Sequence, residues 1–153
     1  MKSCFTCELV SRRDANTAPP WDAIWRTAHW DVVHSYNTRL LGWLVLVSRR
    51  HISALHEMNS AESSELGTLI QQTSIALKQT VHCDKTYVMQ FAEDAEHPHV
   101  HFHIVPRMPN QPDEYKATNV FNYLVEDLEL RVSEDKMNQL ATQIRSILGE
   151  TID

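Results

Sequence analysis

The run His97-Pro-His99-Val-His101-Phe-His103-Ile-Val105-Pro-Arg107 places four histidines within seven residues. Imidazole, with an ordinary pKa of about 6.5, serves as nucleophile, base, acid or metal ligand near neutral pH. On an extended strand side chains alternate, so His99, His101 and His103 are expected on one face and Val100, Phe102 and Ile104 on the other. Rings at alternate residues stand roughly 7 Å apart at their α-carbons, a spacing better suited to contacts along one extended ligand than to three bonds on one small ion.

The rest of the chain must hold those rings. At 153 residues it is the size of one domain and can bury a core without staples. Its composition, 42% hydrophobic and 22% charged, is that of a globular protein. No apolar run forms a membrane span or signal peptide, so a cytoplasmic protein is expected. The formal charge of -6 and the lack of a Lys/Arg tract disfavour polymeric nucleic acid as a partner. With three glycines, Gly42, Gly67 and Gly149, no glycine-rich phosphate loop can be written. Three cysteines do not pair evenly, so reduced thiols or metal ligands are expected.

His29 to Tyr36 and Gly42 to Val47 are rich in β-branched and aromatic residues, and the turn-like Asn37-Thr38-Arg39 between them predicts two antiparallel strands. Thr17 to Trp25, interrupted by Pro19 and Pro20, reads as a surface connector anchored by Trp21 and Trp25. Asn59 with Glu62 resembles a helix cap, and Leu66, Leu69, Ile70, Thr73, Ala76, Leu77 and Val81 recur at helical spacing, predicting the main helix. Thr86 to Phe91 reads as a strand, Ala92 to Pro98 as a loop, and Val100 to Val105 as the histidine strand, ended by Pro106. Met108 to Thr118 reads as an exposed loop. Ser133 opens a second amphipathic helix through Met137, Leu140, Ala141, Ile144, Ile147 and Leu148, with Gly149 placed to stop it. The expected class is α+β: a mostly antiparallel sheet, one long helix and a C-terminal helix.

His99-Val-His101-Phe-His103-Ile-Val105 followed by Pro106-Arg107 resembles the signature of the histidine triad (HIT) superfamily of nucleotide hydrolases and transferases. The likeness extends from Cys4-Phe-Thr-Cys7 through the strand pair, Arg49-Arg50-His51, the long helix and the strand ending in Gln90. The resemblance implies a single HIT-like domain over residues 1–153, with an N-terminal Cys-x-x-Cys segment (1–16) and a C-terminal loop and helix (108–153). It also implies a homodimer joined through adjoining strands and helices. The chain looks most like bacterial members of the diadenosine tetraphosphate hydrolase type.

The activity so implied is attack by His101 on the α-phosphorus of a dinucleoside polyphosphate or nucleoside phosphoramidate, followed by hydrolysis of the nucleotidyl-histidine without metal in the chemistry. A neutral imidazole is a competent nucleophile at pH 7, whereas serine or threonine needs a separate base. His103 is expected to meet the developing charge or protonate the leaving group, and His99 completes the catalytic row. The resemblance further implies nucleotide contacts from Asn37 and Gln90 beside His101 and His103. A turn-forming role serves Asn37 equally.

By resemblance to zinc-bearing members, Cys4, Cys7, His51 and His99 would form a closed, structural zinc site. Otherwise Cys4 and Cys7 are a loose terminal pair. Cys83 reads as an ordinary thiol near the helix end. One departure bears on the leaving group: where many members have Gly-His, this chain has Gly42-Trp43. Readings from other classes stay open: a catalytically weak nucleotide-binding or sensing module, a hydrolase holding one metal with His99, His101 and His103, or a structural histidine row. His29, His34, His56, His82 and His97 read as surface or satisfied residues. Arg107 either steers a distal phosphate or stays at the surface.

Overall fold

The computed structural model describes residues 4–150; residues 1–3 and 151–153, the ends of the expected domain, lie outside them. The class is α+β. Five strands, β1 (Trp25–Arg26), β2 (Trp30–His34), β3 (Leu44–Ser48), β4 (Lys85–Met89) and β5 (His101–Arg107), form one antiparallel sheet in the order β1-β2-β3-β5-β4. The expected strand pair is β2 and β3, with Val32 opposite Leu46, and both strands are buried along their whole length.

On one face of the sheet Trp30, Val32, Leu44, Leu46, Phe102 and Ile104 pack against α2 (Ser60–Val81) and α3 (Glu134–Glu150). The Asn59 side chain accepts from the Glu62 N–H while Glu62 reaches back to the Asn59 N–H, so the sequence-predicted cap starts α2. Helix α3 buries Met137, Leu140, Ala141, Ile144 and Leu148 as the apolar spacing predicts. No helix among the described residues is long and apolar enough to cross a membrane.

The other face is covered by elements the sequence announces poorly. Helix α1 (Phe5–Asp14) turns Thr6, Val10 and Arg13 inward, which is no apolar stripe. Its anchor is ionic: the buried Arg13 guanidinium meets Asp22 at 2.7 Å and Asp31 at 3.4 Å, and its Nε donates to the Asp22 carbonyl. Burial of that charge is tolerable only with its partners present, so α1 is bound to the connector and to β2.

Three expectations are corrected. Met108 to Thr118 is not a plain exposed loop: Gln111 is buried, accepting from the Met108 N–H and donating to the Tyr115 carbonyl, and short 3-10 turns follow at Asp113–Tyr115 and Ala117–Tyr123. Polar composition concealed a segment that folds on its own hydrogen bonds. Pro106 does not end the histidine strand but pairs with Thr86. Pairing with β3 stops at Ile104, so the proline sits where one neighbour is gone, an edge-like position that tolerates a missing donor. Gly149 does not stop α3, which continues to Glu150. A Cβ there would meet only Trp25, at 3.9 Å, so no close approach demands glycine.

Candidate functional site

The histidine row divides. Strand β5 begins at His101, and His99, in the bend before it, is fully buried and turns toward the N-terminal cysteines. His101 and His103 line a cavity of about 410 Å³ instead. The expectation of three imidazoles on one face therefore holds for two, because period-two alternation applies only where the chain is a strand.

Hydrogen bonds assign the protons. A carbonyl only accepts, so the 2.7 Å contact of His101 Nδ1 with the His99 carbonyl places the proton on Nδ1 and leaves the lone pair on Nε2. Burial lowers the His101 pKa, opposed by that same bond. His103 lies beside it, the ring centroids 5.0 Å apart, and burial followed by the neighbouring His101 pushes its pKa down to about 3. His103 Nδ1 lies 3.0 Å from the indole Nε1 of Trp43, and its ring is edge-on to Phe121.

His34, expected to be a surface or satisfied histidine, is buried and satisfied, and it also borders the cavity. Its Nδ1 donates to the Ser35 carbonyl at 2.7 Å and its Nε2 accepts from the Gly42 N–H at 2.9 Å. Burial pushes its pKa down to about 4, partly offset by the Ser35 bond. Both shifts lie below the unfolded value of about 6.5, so from pH 6.5 downward the unfolded chain takes up protons that the folded one refuses. Stability is then expected to fall by about 1.4 kcal/mol per pH unit for each group as pH drops toward its folded pKa. Urea unfolding at pH 7, 6 and 5 measures the slope, and His34→Asn should make it shallower by the His34 share. A midpoint indifferent to pH over this range would contradict the assignment.

Of the residues expected to touch nucleotide, Asn37 borders the cavity, its Oδ1 accepting from Ser35 Oγ. Gln90 is not among the lining residues; it follows β4, and Phe91, Ala92, Glu93 and Asp94 beyond it form that wall. Arg107 pairs with Asp84 at 2.6 Å and is likewise absent from the lining.

Lining residues that sequence reasoning missed include Tyr36, His97, Phe121 and Arg131. His97 lies inside the motif, where the sequence reads it as a surface or satisfied histidine. Thr6 Oγ1 holds its Nδ1 at 2.8 Å and Phe5 packs edge-on against its ring, so α1 positions it. Phe121 and Arg131 carry no local signal, since backbone bonds of the Tyr123 to Val132 segment to the 37–39 turn bring them in. The Arg131 guanidinium lies 5.9 Å from the Tyr36 ring centroid.

Cys4, Cys7, His51 and His99 come together with one donor atom from each within 4.8 Å of all the others. The Nδ1 atoms of His51 and His99 are 3.2 Å apart, and Cys7 Sγ lies 3.2 Å from the first and 3.5 Å from the second. Cys4 Sγ is 3.7 Å from His99 Nδ1. Tetrahedral zinc with sulfur at 2.3 Å and nitrogen at 2.0–2.1 Å spaces its donors roughly 3.3–3.8 Å apart, which these residues fit. His99 Nε2 donates to the Ser48 carbonyl at 2.6 Å, so Nδ1 presents a lone pair to the cluster, the orientation a metal ligand needs. Burial lowers the His99 pKa, favouring the neutral ring.

A family model for the HIT domain matches residues 19–110. Comparison with curated protein sequences finds no match. Among solved structures, a Zn-bound histidine triad family protein from Mycobacterium smegmatis aligns at 16% identity with a TM-score of 0.64, over 97% of this chain and 95% of its own. A hypothetical histidine triad nucleotide-binding protein from Sulfolobus tokodaii aligns at 16% identity and TM-score 0.70, over 94% and 93%. Diadenosine triphosphate hydrolase of Plasmodium falciparum aligns at 16% identity and TM-score 0.63, over 85% and 78%. At these identities the structures testify to the fold, whereas the family model covers more than half of the chain. The chain belongs to the HIT domain family.

Proposed function

We propose that this protein is a nucleotide hydrolase or transferase acting at an α-phosphate through a covalent nucleotidyl-histidine, with a dinucleoside polyphosphate as substrate. The observation that carries the reading is the protonation of His101: its Nδ1–H is engaged by the His99 carbonyl, leaving the Nε2 lone pair beside a cavity large enough for a nucleotide. In this reading Nε2 attacks phosphorus and the leaving group departs with the electron pair of the broken bond. Water then attacks the nucleotidyl-histidine and returns the pair to Nε2.

His103 meets charge developing on the phosphoryl oxygens, while Asn37, His97 and Arg131 surround the nucleotide. Gln90 serves the nucleotide only if its side chain turns into the cavity on binding. His99 acts from behind, through its carbonyl. Zinc, held by Cys4, Cys7, His51 and His99, has all four positions filled by protein and serves structure. The test is rapid quenching with an α-labelled dinucleotide: an acid-labile adduct on protein supports the reading. Binding with neither adduct nor product identifies a nucleotide-binding module instead.

The chain is further read as a single domain that pairs with a second copy along β4. That strand lies at the sheet edge with Val88 43% exposed, and Ile75 of the adjoining α2 is 40% exposed. Sedimentation should report a dimer that Val88→Lys dissociates; a monomer at micromolar concentration rejects the pairing.

A further inference from the structure

Trp43 stands where many members of the family carry a histidine, and it is fully buried. The backbone around it is tightly determined. Gly42 adopts a φ of +97°, and an added Cβ there would press on Leu77, Pro106 and Val81 at 3.2–3.3 Å. The Gly42 N–H is held by His34 Nε2, and the Trp43 carbonyl accepts from the Ser35 N–H at 2.8 Å. The indole is clamped edge-on by Phe121, with ring centroids 5.7 Å apart, and meets the His103 ring at an interplanar angle of 88°. Its Nε1 is thereby aimed at His103 Nδ1, 3.0 Å away.

An indole N–H donates and cannot accept. His103 Nδ1 must therefore present its lone pair, and the single proton of the neutral ring resides on Nε2. We propose that Trp43 is a positioning residue that locks His103 as a neutral Nε2–H hydrogen-bond donor, confining the enzyme to leaving groups that depart without taking a proton. The inference rests on the nucleotidyl-histidine reading for its chemical consequence, though not for the tautomer itself.

His101 and His103 then stand side by side in opposite states, one offering a lone pair at Nε2 and the other an N–H at Nε2. A protonated imidazole can hand a proton to a leaving amine or alkoxide. His103 in its locked form cannot, because surrendering Nε2–H would leave an anionic imidazolate, a far stronger base than the neutral ring, and protonating Nδ1 first would set two N–H groups against each other in a buried site. The expected choice between meeting charge and protonating the leaving group thus resolves to the first.

In the first step the His101 Nε2 lone pair forms the N–P bond and the P–O bond to the distal phosphate breaks, its electron pair leaving with that oxygen. His103 keeps its proton throughout. In the second step a water oxygen bonds to phosphorus, the N–P pair returns to Nε2, and the water's proton passes to solvent. Phosphate anhydrides satisfy this balance, since their leaving groups are stable anions; phosphoramidates and alkyl esters do not.

The tautomer is read directly by long-range proton–nitrogen correlation NMR on uniformly nitrogen-15-labelled protein. Wild type should show His103 protonated on Nε2 and His101 on Nδ1, and Trp43→Phe should turn His103 alone into a mixture. With diadenosine tetraphosphate and adenosine 5′-phosphoramidate as paired substrates, wild type should favour the anhydride at least a hundredfold, and Trp43→Phe should shrink that ratio at least tenfold. If the phenylalanine variant misfolds, 3-benzothienylalanine at position 43 replaces the N–H with sulfur at nearly equal volume and must give the same two readouts. A wild-type His103 protonated on Nδ1, or a spectrum unchanged by loss of the indole N–H, overturns the lock. Equal cleavage of both substrates by wild type overturns its consequence. An Nε2–H spectrum with no turnover of either substrate upholds the lock and rejects the proposed function alone.

Discussion

Replacing His101 with alanine is expected to lower kcat by about four to six orders of magnitude, the scale on which a missing nucleophile shows, and to abolish the labelled adduct. The fold should survive. Stacking of β5 on the helices rests on Phe102 and Ile104, which face away from the cavity, while His101 contributes one hydrogen bond, to the His99 carbonyl. Such a bond is worth about 1 kcal/mol net, and for a domain of this size that lowers Tm by only about 2–4 °C. A rapid-quench time course beside a thermal melt separates the outcomes. Activity within tenfold of wild type in a folded variant would remove His101 from the chemistry. His103→Ala should instead retain the adduct and form it more slowly, since its loss removes charge stabilisation and leaves the attacking nitrogen in place.

Stripping the Cys4-Cys7-His51-His99 site of metal should cost stability before it costs rate. With free metal at about 1,000 times its Kd, binding only to the folded state adds about 4 kcal/mol, so chelation is expected to lower Tm by about 10–15 °C. The path from that site to the cavity is short and runs through α1. Cys4 and Cys7 flank Phe5 and Thr6, the Phe5 N–H donates to the Glu96 carbonyl, and Thr6 holds His97. Losing the clamp therefore loosens one wall of the cavity and leaves His101 and His103 on the sheet. Calorimetry with and without chelator, alongside initial rates at a temperature far below the transition, tests both halves. Activity that vanished at once and returned only with metal would place the ion in the reaction, and an unmoved Tm would show that the four residues hold none.

Most of the sheet and both long helices were legible before the structure because their signals are local. Alternation along β5, the cap at Asn59 and Glu62, and the apolar spacing of α3 each lie within a few residues and report on the backbone directly. Helix α1 escaped notice because its inward face is polar, and a buried Arg13 becomes intelligible only once Asp22 and Asp31 lie beside it. Pro106 and Gly149 were misread for a related reason. Local propensity assigns each a breaking role, and tertiary context supplied one with a vacant sheet neighbour and the other with room to stay helical.

Sequence by itself determined the chemistry on offer: the spacing of His101 and His103 and the strand that carries the imidazoles. Residue types and short-range periodicity carry that information without reference to the rest of the chain. Tertiary structure brings His99 to the cysteines, as the family resemblance implied, and it alone leaves His101 and His103 to the cavity and sets the protons on the rings. A tautomer is chosen by the partner of the second nitrogen, and those partners, the His99 carbonyl, the Ser48 carbonyl and the Trp43 indole, lie between two and sixty residues away along the chain.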